Sequence, residues 1–286
     1  MKTIGFIDFF LNEWHANVYP GMIQAYNEKN GTDYQVKYAW AEVHENLGVT
    51  TEQWCEKYGA IPCSSIEELC EKSDYVIVLS PSNPEKHLGY AEKVFKCGKS
   101  PYIDKTFTPD YITAKTIYDL AEKYNEKFFT SSALRYADEL NDYSSNAKVV
   151  STIGGGSSID EYIIHQVEMV VKCLGVGAQK VRYNKHADQE WVDVAYEDDK
   201  YATMMFSPCI PVFAATIANK EGESAYLNIN SSFFDNLIAD IINFFETGKI
   251  SFDENETLEV MKIRELVIKG KDKAGEWLGL DELRAE

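Results

Sequence analysis

The chain has no Cys-x-x-Cys pair, no run of lysine and arginine, and no apolar stretch long enough to cross a bilayer. Each absence excludes a class. Its six cysteines (Cys55, Cys63, Cys70, Cys97, Cys173 and Cys209) are scattered, with no histidine at metal-ligand spacing. They read as reduced, mostly buried thiols, and no metal centre is expected. Without a basic run, and with a formal net charge of −18, the average surface repels phosphate backbones and anionic lipid. Nucleic acid and membrane are therefore excluded as partners. The apolar stretch Ile4 to Leu11 is interrupted by Asp8, which argues against a secretory signal, and Tyr75–Leu79 is far too short for a membrane span. The expectation is a soluble, cytoplasmic protein. Repeats, low-complexity segments and a Gly/Ser/Pro linker are also missing. What is present is 286 residues, 45% hydrophobic and 26% charged, a globular composition with room for one large domain or two ordinary ones.

The first half alternates strands and helices. Thr3–Phe9, Gln35–Ala41, Tyr75–Leu79, Pro101–Ile103 and Lys127–Ser131 read as strands. Glu13–Glu28, Thr51–Tyr58, Ser65–Lys72, Pro84–Cys97 and Pro109–Asn125 read as helices, with a capping box expected at Ser65 and Glu68. Tyr75–Leu79 has the continuous apolar character of a parallel strand buried on both faces. This alternation predicts an α/β fold with a Rossmann-like, doubly wound parallel sheet. After about Arg135 the pattern changes. A helix, Ser158–Leu174, follows Gly154-Gly155-Gly156. Then come candidate strands Lys180–His186, Trp191–Tyr196, Tyr201–Phe206, Val212–Ala218 and Ala225–Asn230, without helices between them. Helices Phe233–Thr247 and Asn255–Lys269 and an acidic tail complete the chain. Two domains are predicted: a dinucleotide-binding domain over 1–130, and over 131–286 a substrate and oligomerisation domain with a mostly antiparallel open sheet.

The turn after the first strand, Asp8-Phe9-Phe10-Leu11-Asn12-Glu13-Trp14-His15, has no glycine. A dinucleotide turn normally carries glycines because the pyrophosphate approaches the backbone at a helix N-terminus. Asp8 would also set a carboxylate near that phosphate. At ~4 Å and an effective dielectric of ~20 the repulsion is about 4 kcal/mol, half of the roughly 8 kcal/mol that a micromolar ligand has in total. Taken alone, this turn favours a site plugged by Phe9 and Phe10.

Two polar loops follow buried strands, where open α/β sheets bind ligands. One is Ser80-Pro81-Ser82-Asn83-Pro84-Glu85-Lys86-His87. The other is Asp104-Lys105-Thr106. Lys105 could donate a hydrogen bond or proton into the crevice; equally, it could be solvated and paired with Asp104. On the Ser158–Leu174 helix, Glu161, His165 and Glu168 (i, i+4, i+7) share one face, opposite a core stripe of Ile163, Val167, Val170, Val171 and Leu174. A histidine between two carboxylates suits a general acid/base. Helix geometry alone favours a solvent face with an incidental histidine.

Taken in order, these stretches resemble the Gfo/Idh/MocA oxidoreductase family (glucose–fructose oxidoreductase and inositol dehydrogenase type) over nearly the whole chain. The matching positions are His15, Pro81-x-Asn83 with His87, Asp104-Lys105-Thr106, Leu134-Arg135-Tyr136, Gly154–Gly156, and Glu161 through Glu168 with His165. The resemblance implies a nicotinamide cofactor and hydride transfer to or from a sugar, polyol or related small hydroxylated substrate. It implies catalytic roles for Lys105 and His165, with Glu161 orienting the imidazole. The implied cofactor contacts are Phe10, Leu11, Glu42, Ser80, Pro81, Asn83, His87, Asp104 and Lys105. The departures are the missing turn glycines, Asp104 in place of Glu, Thr106 in place of Pro, and Tyr162-Ile163 in place of Gly-x. Two other readings stay open: a relative that has lost dinucleotide binding and serves in binding, regulation or scaffolding, and a lyase or epimerase that recycles the hydride.

Two further expectations follow. Glu42, at the end of the second strand, can accept hydrogen bonds from ribose hydroxyls, and no Arg or Lys follows until Lys57. NAD is therefore expected over NADP. Tyr201–Phe206 and Pro211–Ala214 carry much apolar surface for a small sheet, so a homodimer or larger homo-oligomer is expected.

Overall fold

The computed structural model describes residues 1–283, which divide into two compact units. The first comprises Met1–Pro109, Thr113–Ser131 and Leu237–Ser251; the second comprises Asp110–Ile112, Ser132–Asn236 and the chain from Phe252.

The first unit runs β1 (Lys2–Asp8), α1 (Trp14–Asn30), β2 (Tyr34–Ala41), β3 (Glu45–Asn46), β4 (Val49–Thr50), α2 (Thr51–Tyr58), β5 (Ile61–Pro62), α3 (Ile66–Lys72), β6 (Tyr75–Val78), α4 (His87–Lys96), β7 (Tyr102–Ile103) and α5 (Tyr111–Tyr124). Its main sheet is parallel throughout, in the order β5-β2-β1-β6-β7. Order reverses between β1 and β6, so the C-terminal ends of these two strands mark the crevice where such sheets bind ligands. The reason is in the side chains. Ile4, Phe6 and Ile7 of β1 and Val76–Leu79 are wholly buried, each contributing about 1.5–3 kcal/mol. Gly5 is in the strand because α3 lies against it: a Cβ there would meet Leu69 Cδ2 at 2.4 Å and Ser73 Oγ at 2.5 Å.

Local differences from the sequence reading have identifiable causes. The reciprocal capping box belongs to Thr50 and Gln53 at the head of α2. Ser65 does cap α3, accepting from Glu68 N at 3.1 Å, but the Glu68 carboxylate turns to Ser64 N (2.7 Å) and Lys72 (2.6 Å). Pro84–Lys86 is a 3₁₀ turn, and the α-helix begins at His87. The strand expected at Lys127–Ser131 shrinks to one parallel bridge between Phe129 and Tyr102.

The second unit holds β8 (Ala147–Gly154), α6 (Ile159–Leu174), β9 (Ala178–His186), β10 (Gln189–Tyr196), β11 (Tyr201–Phe206), β12 (Phe213–Asn219) and β13 (Ser224–Ile229). After these come α7 (Phe233–Thr247), α8 (Glu254–Gly270) and β14 (Trp277–Gly279). Its seven strands lie in the order β13-β12-β8-β11-β10-β9-β14, with β8–β11 the one parallel pair among antiparallel ones. Helices α6 and α8 pack on each other and on this sheet. Ile163, Val167, Val170, Val171 and Leu174 are buried, as the stripe on α6 requires. In β11, Ala202, Met204 and Phe206 point into the core, and Tyr201, Thr203 and Met205 face outward and are half-buried.

Two elements correct the sequence reading here. Within the expected acidic tail, whose residues 284–286 lie outside the described ones, Trp277–Gly279 form β14, paired with β9, and the Trp277 ring lies under Lys180 and Arg182 at 4.9 and 4.6 Å. Helix α7 does not stay with the 131–286 domain, because from Leu237 it belongs to the first unit. Its aromatic face accounts for this. Phe245 stacks on Tyr75 at 4.7 Å, Phe244 meets Phe129 edge-on at 5.2 Å, and Glu246 accepts hydrogen bonds from the Tyr34 and Tyr75 hydroxyls.

Candidate functional site

In the first unit the candidate site is built at the C-terminal ends of β1 and β6. Asp8 ends β1 and is 1% exposed. Its Oδ1 accepts from Phe9 N at 2.7 Å and Ser80 N at 3.1 Å, which ties the two strand ends together. Its Oδ2 is buried with no hydrogen-bond partner. Burial first, and then the charge of Glu13, push the Asp8 carboxyl well above the usual carboxylate range. The protonated form of Asp8 is therefore favoured over the charged one. The turn is short of glycine, and the shift works against the phosphate repulsion expected of Asp8.

The second carboxyl of the turn is Glu13, whose role is not visible in the sequence. Glu13 is the N-cap of α1, with Oε2 accepting from His15 N at 2.8 Å and Oε1 from Ala16 N. Serine, threonine, aspartate and asparagine are the usual N-caps, so a glutamate gave no cap signal. Burial raises the Glu13 carboxyl, opposed by His15 and the two backbone N–H groups. Leu11 turns its side chain into the core, 3% exposed, and its carbonyl accepts from Glu13 N at 2.9 Å. Phe10 is half-buried and Phe9 lies beneath the Lys86 ammonium at 4.9 Å.

Asp104, at the end of β7, sits in the same cluster. Its Oδ2 lies 2.8 Å from His15 Nδ1, and its Oδ1 accepts from Lys105 N at 2.9 Å and the Tyr102 hydroxyl at 3.1 Å. Burial alone would raise this carboxyl, but His15 and Lys105 hold it below the usual range. Lys105 itself is nearly buried, 9% exposed.

The other predicted positions have these surroundings. His87 is wholly buried, with Nδ1 2.6 Å from the Phe107 carbonyl oxygen and Nε2 against that of Leu79. Its ring fastens the loops after β6 and β7 to each other. Pro81 accepts from Thr106 N through its carbonyl at 3.3 Å, and Asn83 donates to Glu85 at 3.2 Å. Glu42 is held ionised by Lys86 and by the Tyr90 hydroxyl at 2.7 Å, and its carboxyl is lowered accordingly. The expectation that no cation lies near Glu42 is thus wrong in space: Lys86 reaches it from 44 residues along the chain.

In the second unit, His165 lies half-buried on α6, with Tyr162 and Phe213 rings 5.5 and 5.8 Å from its own. Its Nδ1 is 2.6 Å from Ser132 Oγ. Glu168 does not flank the imidazole as the helix spacing suggested. It is 4% exposed, accepts from Ser132 N at 3.1 Å, and pairs with Arg135 at 3.1 Å. Arg135 in turn pairs with Glu256 and lies over the Phe252 ring at 4.0 Å. Burial raises the Glu168 carboxyl against the pull of Arg135. Glu168 therefore positions Ser132, and Ser132 holds His165. Glu161 accepts from Ser157 Oγ at 2.8 Å. Among the described residues no group of His, Cys, Asp and Glu is arranged to hold a metal ion, and no helix is long and apolar enough to cross a membrane.

A parallel sheet in doubly wound order in one unit, and in the other a larger mixed sheet packed by the helix that carries His165, define a two-unit α/β protein with a Rossmann-like first unit. Residues 21–132 match the model of the Gfo/Idh/MocA family, described as an oxidoreductase family with an NAD-binding Rossmann fold. Solved structures extend the likeness to the whole chain. An oxidoreductase from Thermotoga maritima is similar with a TM-score of 0.75 at 13% identity, over 99% of both chains. The scyllo-inositol dehydrogenase of Lactobacillus casei gives 0.72 at 13% identity, over 98% of both chains. The UDP-N-acetylglucosamine 3-dehydrogenase of Acidithiobacillus ferrooxidans gives 0.76 at 14% identity, over 94% of this chain and 97% of that one. At such identities these likenesses establish the fold. No curated protein matches the sequence.

Proposed function

We propose that the protein is a nicotinamide-dependent oxidoreductase acting on a small hydroxylated carbon compound, of the sugar or polyol class represented among its structural neighbours. The observation that carries this reading is the His165 imidazole, half-buried and held through Nδ1 by Ser132 Oγ at 2.6 Å on a scaffold of the family type. A ring anchored at one nitrogen presents the other in a fixed direction, which is the arrangement that general acid/base catalysis on a substrate hydroxyl needs. In the oxidative direction His165 takes the hydroxyl proton; in the reductive direction it returns it. Lys105 is the proposed second donor to the substrate, and Glu161, one turn earlier on α6, the proposed carboxylate neighbour of His165.

The fit of the cofactor rests on the crevice between β1 and β6. Glu42 would accept from ribose hydroxyls, and the Ser80–Asn83 loop with Phe10 and Leu11 would border the dinucleotide. The backbone N–H groups at the head of α1 are open to a diphosphate only when the Glu13 carboxylate leaves them. On that condition the residues fit. When bound, the dinucleotide supplies or accepts the hydride. NAD remains the proposed partner, although Lys86 beside Glu42 gives a 2′-phosphate one cation to meet.

The test is turnover with a panel of polyols and nucleotide sugars. His165→Asn should lower kcat by about 10²–10⁴-fold with NADH affinity nearly unchanged. Lys105→Met should also suppress kcat. Two variants turning over like the parent would sink the assignment. We also propose a homo-oligomer formed through the outer face of the second sheet, where Tyr226 is 71% and Val149 39% exposed beside outward Met205. A single 32.5 kDa species in sedimentation at micromolar concentration would refute assembly.

A further inference from the structure

We propose that Glu13 is a built-in occupant of the diphosphate position, so that a dinucleotide enters this site only by displacing it, and that Glu13 sets the chain's affinity for the cofactor. The inference rests on the dinucleotide reading above and goes beyond it.

Three observations carry it. First, the N–H groups of His15 and Ala16, at the positive end of a 17-residue helix, both donate to the Glu13 carboxylate. These are the donors that a nucleotide diphosphate uses at the head of such a helix, and an anion there is favoured by the same helix dipole. Glu13 supplies that anion from within the chain. A serine or threonine cap would satisfy one N–H with a neutral oxygen; the longer glutamate reaches back across the helix head and satisfies two.

Second, the backbone is set for this cap. Glu13 is extended, with φ −132° and ψ 171°, its N–H donates to the Leu11 carbonyl at 2.9 Å, and its own carbonyl accepts from Asn17 N at 3.0 Å. The glycine-free turn follows from this. Where the chain's own carboxylate fills the position, nothing outside has to approach the backbone closely, and the side chains Phe9, Phe10 and Leu11 can occupy the turn.

Third, the surrounding groups are arranged around a resident negative charge. The Asp8 carboxyl, in the same turn, is raised by burial and then by the charge of Glu13, and its Oδ2 is buried with no hydrogen-bond partner. His15 Nδ1 lies 3.9 Å from Glu13 Oε2 while paired to Asp104 at 2.8 Å. A single imidazole thus serves two carboxylates, and a diphosphate added to this cluster would need one of them to move.

When only a fraction of molecules has the site open, apparent affinity falls by that fraction. If Glu13 covers the donors nine times in ten or more, removing its charge should tighten dinucleotide binding about tenfold or more. The experiment is calorimetric titration of the full chain with NADH and, separately, with inorganic pyrophosphate. The proteins compared are the parent, Glu13→Ser, which keeps a good N-cap oxygen, and Glu13→Gln, which keeps length without charge. Thermal melts establish that each variant is folded. The expected result is tighter NADH binding by Glu13→Ser, about tenfold or more, with Glu13→Gln between it and the parent. Pyrophosphate should bind Glu13→Ser detectably better than the parent. Equal NADH affinities in all three proteins would overturn the role of Glu13 and leave the dinucleotide reading standing. Absence of NADH binding by the parent and by a folded Glu13→Ser at millimolar concentration would overturn both.

Discussion

Two helices begin where a ligand site is expected, and they begin in opposite ways. The loop before α1 has no glycine, and a carboxylate covers the helix head. The loop before α6 is Gly154-Gly155-Gly156, and its N-cap, Ser158, makes no side-chain capping bond. By composition the loop before α6 resembles a phosphate cradle. Its glycines serve something else. A Cβ on Gly155 would lie 2.1 Å from Ser207 O and 2.4 Å from Ile210 O, and one on Gly154 would lie 2.4 Å from the Phe213 ring. The backbone of this loop is in close approach to the protein's own backbone between β11 and β12. Ser207 N donates to Gly154 O at 3.1 Å across that contact. A glycine at a helix head reports that something comes close to the backbone. Whether that something is ligand or protein has to be read from the neighbours.

The comparison breaks most visibly at Gly155. Gly155→Ala has no flexible side chain to push aside, because both short contacts are to carbonyl oxygens. Overpacking of this kind should cost the second unit about 3 kcal/mol, seen as a large fall in urea midpoint. An unchanged midpoint would show that the 207–210 loop can retreat, and the glycines would then need another explanation.

How much of this was legible in the sequence depended on where the deciding contacts lie. Thr51–Tyr58, Tyr201–Phe206 and Phe233–Thr247 are found with the expected bounds, because each has a clear period or cap within its own residues. Strand β8 has no sequence signal: burial alternates from Val149 to Gly154, but the inward positions are Val150, Thr152 and Gly154 and the outward ones Val149, Ser151 and Ile153, so polarity does not follow the faces. The departure of α7 from its sequence neighbours depends on Tyr75 and Phe129, far away along the chain. The candidate site divides in the same way. The helix face carrying Glu161, His165 and Glu168 is a local pattern and was visible. That Ser132, 33 residues upstream, holds the imidazole, that Glu168 belongs to Arg135, and that Lys86 reaches Glu42 are products of tertiary contact. No spacing rule reaches them.

The smaller effect sharpens the other side of the comparison, the carboxylates at the head of α1. Asp8 and Asp104 are both buried and ionisable, and their environments push them in opposite directions. Asp8 has its pKa raised in the folded state by burial and by Glu13, so the native protein holds a proton that the unfolded chain releases above about pH 3.9. Stability from that proton is complete below the unfolded value and declines as pH rises toward the folded one. Asp104, despite its burial, is lowered by His15 and Lys105. Its contribution is present above the unfolded value and lost as pH falls through the folded one. Asp8→Asn keeps an oxygen for Phe9 N and Ser80 N and removes the need to take up a proton. It should be neutral near pH 4 and increasingly stabilising as pH rises above it. Asp104→Asn should do the reverse, destabilising at neutral pH and mattering least in acid. Urea midpoints across that range decide it. Parallel curves for the parent and Asp8→Asn would mean that the Asp8 carboxyl is not raised in the folded state, and the phosphate repulsion expected of it would then stand.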